Sequence, residues 1–338
     1  MTKSASIAGY TQALDSLPQE AFLGSLLFFS ISQADVHLEN AHRDLTASGL
    51  STATLRKQLR PVDAFKKAAK EFSKKFPAED GIKSELLVRT AGEDAAQSYV
   101  HLMLERVVMQ KNKKRRIFYE KVAELTFTRG FKSGGEYQNH GVETRRTTNN
   151  LPQPLTNAED QWLTEKLVTF ADRYDHLNRY MDSHAVRTFV REYIYSLSGT
   201  CVKESGGLYF VKQDHSDEID RLGAWVKEIG SEFHSLPLLN LGEQRAMILE
   251  AFEDETIKEV ERLSLEVSKI LKDPSRKIEE KTFDAFSLRA AELSAKVSEY
   301  SDMLDARAER AALEIKTYAA QCMTLASRIR TPQTIRTS

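Results

Sequence analysis

Cysteine is nearly absent from this 338-residue chain: Cys201 and Cys322 stand far apart, with neither the spacing of a zinc site nor the count of a disulfide framework. A reducing compartment, the cytoplasm, is the expected setting. No charge of one sign dominates either. Lys plus Arg total 48 against 49 Asp plus Glu, which argues against a surface coated in phosphate contacts but leaves room for a local basic patch. Long hydrophobic runs are missing as well. The most apolar early stretch, 21–31, is too short to cross a bilayer and reads as a buried core segment, so no membrane partner is expected.

The motifs of common chemistry are missing too. No Gly-x-x-x-x-Gly-Lys-Ser/Thr or Gly-x-Gly-x-x-Gly run is present, which removes the usual nucleotide cradles. Ser205–Gly206–Gly207 lacks the strand-to-helix setting of a nucleophile elbow. Asp172, His176 and His184 form a partial ligand set that no second cluster completes. The reading is of a non-enzymatic protein with no catalytic residues, no cofactor and no metal.

What is present is 41% apolar residues and dense mixed charge, enough for real cores under solvated helices. Segment 1–130 reads as a helical and β-meander domain. Ser32 is placed to cap a helix through Val36, Leu38, Ala41 and Leu45 that Gly49 ends. A second helix follows Pro61, with Val62, Phe65, Ala69 and Phe72 on one stripe. From Ser84 the apolar period becomes two, predicting three strands joined at 91–94 and 111–114. Segment 131–156, rich in Gly, Asn, Thr and Gln, reads as a loop or linker.

The remainder is helical. Leu163, Leu167, Phe170, Tyr174, Leu177 and Met181 alternate spacings of four and three, and Ile257 to Ile270 repeats the pattern until Asp273–Pro274–Ser275 turns the chain. From Phe283 to Ile329 the apolar positions include Leu293, Val297, Tyr300, Leu304, Ile315, Tyr318 and Leu325. One unbroken helix of that length would make a rod of roughly 75 Å, which must lay its seam against other helices. Segment 241–338 is accordingly expected as a long antiparallel helical hairpin of coiled-coil type. Segment 157–240 is expected as a helix with an inserted winged-helix-like module of helix, hairpin and helix, in which Gly206–Gly207 supplies the turn. The fold class is α+β, mostly helical.

Two surfaces suggest nucleic acid. Five of the six residues 111–116 are cationic: Lys111, Lys113, Lys114, Arg115 and Arg116. Arg129, Lys132, Arg145 and Arg146 follow, with aromatics interleaved as single strands favour. The tip of the wing offers Lys203, Gly206, Gly207 and Lys212. The bland alternatives are a solvated hairpin that guards a sheet edge and a plain packing module.

Three stretches carry a resemblance. Pro61–Val62–Asp63–Ala64–Phe65–Lys66–Lys67–Ala68, then Ser205–Gly206–Gly207–Leu208–Tyr209–Phe210–Val211, then Phe233–His234–Ser235–Leu236–Pro237–Leu238 are similar to an uncharacterised family carried by phages, plasmids and other mobile elements. The resemblance implies a role in replication, partition or conflict with a host, in the host cytoplasm if phage-encoded, and carries over no catalytic residue. The leading expectation is a scaffold or oligomerising protein that touches DNA or RNA. One alternative is a protein-binding factor that blocks a host defence or replication component. Another is an enzyme whose active site reveals itself only as convergent buried polar groups with shifted pKa values.

Overall fold

The structure is a computed structural model that describes residues 17–32, 35–77, 82–94, 99–110, 116–128, 131–133, 136–138, 141–147, 151, 153–203, 207–273 and 280–330. In chain order the strands are β1 (Phe22–Ser30), β2 (Val36–His37), β3 (Lys74–Lys75), β4 (Ile82–Asp94), β5 (Tyr99–Gln110), β6 (Arg116–Thr128), β7 (Phe131–Ser133), β8 (Glu136–Gln138), β9 (Gly141–Arg146), β10 (Tyr180–Met181), β11 (Thr200–Lys203), β12 (Leu208–Lys212) and β13 (Glu232–Leu239). The helices are α1 (Leu38–Ala47), α2 (Pro61–Lys70), α3 (Asn157–Val168), α4 (Phe170–Arg179), α5 (Ser183–Ser196), α6 (Ser216–Glu228), α7 (Gly242–Lys272), α8 (Glu280–Leu304) and α9 (Glu309–Arg330). The fold is α+β and mostly helical. Two units divide the chain: unit 1 is 1–34, 44–54 and 183–338, and unit 2 is 35–43 and 55–182.

Unit 2 is built on an antiparallel sheet in the order β3-β4-β5-β6-β9, curved as a half-barrel. Its period-two strands send Leu86, Leu104, Leu125 and Phe127 into one core, where Phe65 and Phe72 of the α2 region meet Phe170 and Tyr174 of α4. Pro61 opens α2, where a missing N–H costs no helical bond. The turn expected at 91–94 instead continues β4, with a register shift between Thr90 and Gly92. The segment expected as a loop, 131–156, carries β7, β8 and β9. Its composition hid β9, whose Val142 pairs with Phe127 and packs on the core. The expected helix start at Ser32 gives way to β2, whose His37 and Val36 pair with Tyr180 and Met181, so α1 begins at Leu38. Gly49 ends that stretch as expected, in the left-handed conformation at φ 70°.

In unit 1 the apolar run 21–31 forms β1, a central strand of the antiparallel sheet β11-β12-β1-β13. Gly24 is required there, because a Cβ would lie 2.1 Å from the Val211 carbonyl oxygen. The expected hairpin exists as β11–β12, but β1 flanks β12 on its other side. It is therefore the margin of a larger sheet. Pro237 sits on edge strand β13, where its missing donor disrupts no ladder.

The expected rod is two helices. α8 stops at Leu304, Asp305 adopts φ 49°, and the Ala306 N–H bonds back to Ser301 O at 3.1 Å, the closing bond of a Schellman motif. Glu253 on α7 then accepts from the Arg310 and Ala311 N–H groups at 2.9 and 3.4 Å, capping the start of α9 from another helix. With α7, the two make three long helices where a hairpin of two was expected. The residues of the expected seam pack within the chain: Leu293, Tyr300, Leu304, Ile315, Tyr318 and Leu325 are buried and Val297 packs beside them. No helix among the described residues is long and apolar enough to cross a membrane.

Candidate functional site

Of the residues expected to meet nucleic acid, Lys111, Lys113, Lys114, Arg115, Arg129 and Gly206 lie outside the described residues. Arg116 opens β6 and Lys132 lies in β7. Arg145 and Arg146, on β9, are engaged internally. Arg145 donates to Glu124 at 2.8 Å, and Arg146 pairs with Asp160 and donates to Thr164 at 2.9 Å. In the expected wing, Lys203 is exposed and Gly207 holds φ 61°, whereas Lys212 pairs with Glu299 of α8. Asp172 and His176 share α4, with His176 3.3 Å from Asp35, and His184 belongs to α5. Among the described residues no group of three or more His, Cys, Asp or Glu could hold a metal ion.

The charged site that sequence reading missed lies in unit 1, where α5, α7 and α8 border a cleft of about 640 Å³. It starts from a turn. α5 ends in a Schellman motif with Ser198 left-handed at φ 59°, the Ser198 N–H on Tyr195 O and the Gly199 N–H on Ile194 O. The reversal leaves two carbonyls pointing outward, and α8 takes both: Tyr300 donates to Ser198 O at 2.8 Å and Lys296 to Gly199 O at 2.9 Å. The spacing of four residues puts these two donors on one helix face. Phe252 of α7 stacks on Tyr300 with ring centroids 4.1 Å apart, and the Lys296 ammonium lies 5.7 Å from each ring.

Across the cleft Glu255 of α7 is held at both oxygens, by the Tyr195 hydroxyl at 2.9 Å and the Cys201 N–H at 3.2 Å. Burial pushes its carboxyl above the usual range and outweighs the pull of Lys296 and of the two hydrogen bonds. Burial likewise lowers the Lys296 ammonium, against the opposing effect of Glu255 and Glu259. The Tyr195 hydroxyl is pushed up by burial and by Glu255, so it stays a neutral donor. At the rim are Arg191, Arg262 and Arg289, paired with Glu192, Glu266 and Glu259 respectively. The arrangement joins an acid held toward neutrality, an amine whose charge is disfavoured, and guanidinium groups that face solvent.

A model of one protein family matches residues 22–331, a span that includes most of both units. The chain belongs to DUF6744, a family of unknown function. No curated protein and no solved structure matches it. The cleft residues of this DUF6744 member all fall inside the matched span, as does the basic stretch 111–116.

Sequence reading missed the cleft because its residues come from helices far apart in the chain, at Tyr195, Glu255 and Lys296. One signal was legible. Glu255 stands three residues after Phe252, and Lys296 three after Leu293, so both charges border the apolar stripe instead of opposing it.

Proposed function

We propose that this chain is a non-enzymatic interaction protein that contacts nucleic acid through the connection between β5 and β6. The observation that supports this reading is the pairing of the flanking strands. β5 and β6 pair from Tyr99↔Thr128 to Met109↔Arg116, and the cationic run 111–116 falls in the sequence where these two paired strands are joined. Clustered cations suit phosphate, and the near-neutral whole chain favours a local contact over a general coating. Arg145 and Arg146 pair with Glu124 and Asp160, so the reading rests on the run 111–116 and not on them. A winged-helix contact has less support, since Lys212 is engaged by Glu299. The seam buried within the chain removes the need for a helical partner, so the reading requires no oligomer. A mobile-element setting fits a protein that handles nucleic acid during replication or conflict with a host.

Fluorescence anisotropy with single- and double-stranded oligonucleotides, at two salt concentrations, tests this. Binding is expected to weaken steeply with salt, and the combined Lys113→Glu and Lys114→Glu substitutions to flatten that dependence by roughly two phosphate contacts. Failure of the unsubstituted chain to bind at about 50 mM salt, where phosphate contacts are strongest, overturns the reading.

A second reading, a ligand-handling protein or enzyme, is favoured by one observation: Tyr195, Glu255 and Lys296 converge on one cleft with burial-shifted ionisation.

A further inference from the structure

We infer that the cleft bordered by α5, α7 and α8 binds a small oxyanion-bearing ligand, a phosphate ester or a polycarboxylate, with Lys296 at its floor and Arg191, Arg262 and Arg289 at its rim. This goes beyond the nucleic-acid reading and concerns the other unit. Its size, about 640 Å³, falls within the range of small-molecule sites, whose volumes run from about 300 to 1,000 Å³. Four cationic side chains from three helices line this one concavity.

The floor has donors to spare. An ammonium carries three N–H groups, and Lys296 uses one on Gly199 O, while its carboxylate neighbours act on it only through space. Thr54, which lines the same cleft, has a buried hydroxyl with no hydrogen-bond partner among the described residues. Buried donors and hydroxyls are normally satisfied, so this cleft is short of acceptors. An oxyanion supplies them.

The rim can exchange partners cheaply. Arg191, Arg262 and Arg289 are 46, 63 and 43% exposed in their pairs with Glu192, Glu266 and Glu259. Half-exposed pairs of this kind contribute little, so at Arg191 and Arg262 a ligand anion can take one guanidinium edge while the native carboxylate keeps another, whereas Arg289 spans Glu259 and Glu292 and takes up the ligand by releasing one of them. Three carboxylates also line the cleft: Glu192, Glu255 and Glu259. Glu192 and Glu259 are occupied by Arg191 and Arg289. Glu255 has both oxygens engaged by Tyr195 and Cys201, and its displacement toward the neutral acid reduces its repulsion of an incoming anion.

The test titrates pyrophosphate and citrate into the full chain at constant ionic strength, with sodium chloride as the matched control, and follows the melting temperature. One of the two is expected to give a saturable rise of roughly 3 °C or more that sodium chloride does not reproduce. Response to pyrophosphate alone assigns a phosphate ligand, and response to citrate alone a polycarboxylate. Lys296→Met is expected to abolish the rise. Arg191→Gln, at an exposed position that leaves the interior untouched, is expected to weaken the affinity about tenfold, the equivalent of one charge-assisted contact. Absence of any rise beyond the salt control overturns the inference, as does unchanged affinity in Arg191→Gln.

Discussion

Both units bury charge, and they do so in opposite ways. In unit 2, Arg106 is 1% exposed and each of its three guanidinium nitrogens donates a hydrogen bond. It donates to Glu159 at 2.9 and 2.7 Å, and to Glu120 and Gln153 O at 3.1 Å each. Glu159 is also tied into the capping box of α3 with Thr156. Burial works to raise its carboxyl, yet hydrogen bonds from Ser84, Arg106 and the Thr156 N–H hold it below the ordinary range. In unit 1, Glu255 lies above that range and the Lys296 ammonium below its own, because burial there outweighs their hydrogen bonds and the more distant opposite charges. The first network is closed and explains itself as structure, pinning 153–159 to the sheet. The second is open, and unfilled hydrogen-bonding capacity beside a cleft is the mark of a site.

The largest effect should come from breaking the closed network. Arg106→Met leaves Glu120 and Glu159 buried without their cation, and is expected to cost about 3–5 kcal/mol in urea unfolding, as removal of one partner of a buried pair does. A loss below about 1 kcal/mol would mean that the triad is not closed, and the contrast between the units would fail.

A smaller effect, of the opposite kind, belongs to Glu255. Its raised carboxyl means that just above the ordinary glutamate range the folded chain holds a proton that the unfolded chain has released. Stability therefore falls as pH rises from that range through the raised value. Glu159, with its lowered carboxyl, contributes stability that is full above the ordinary range and is lost as pH falls through the lowered value. Glu255→Gln is expected to remove only the first loss. The amide can accept the Cys201 N–H and donate to the Tyr195 hydroxyl, so packing is kept. Chemical denaturation of both proteins at pH 5 and pH 8 checks this. Equal pH slopes would show that Glu255 is already paired, like Glu159.

Much of this contrast was beyond sequence reading, for physical reasons that differ by element. The strands of the β4–β6 meander were legible because one face is buried, which writes a period of two into Leu86, Val88, Leu102, Leu104, Leu125 and Phe127. The seam from Leu293 to Leu325 was legible for the same reason at helical period. β1 was not, because a central strand of consecutive apolar residues carries no period to separate it from any other buried segment. The break near Asp305 was hidden because apolar spacing continues through it. What stops the helix is a left-handed aspartate and a cap from Glu253, some fifty positions upstream. The triad and the cleft share this non-local origin. Arg106 gave no hint that Glu159 would meet it, and Lys296 none of a carbonyl at Gly199.

The smallest effect separates both buried networks from charge that is merely paired. Arg145 donates to Glu124 at 2.8 Å, a distance as short as those in the triad, and Lys121 holds the other oxygen of Glu124 at 2.6 Å. Distance alone would rank these pairs together. Yet the Arg145 side chain is 73% exposed, so water screens its attraction to Glu124 and solvates it when the pair opens. Lys121 remains to compensate Glu124 once Arg145 is gone. Arg145→Ala is therefore expected to cost no more than about 0.5 kcal/mol, and less at high salt, when unfolding is followed in urea at low and high sodium chloride. A cost approaching that of Arg106→Met would show that proximity, and not desolvation, sets the strength of these pairs. The division between closed, open and surface charge would then lose its physical basis.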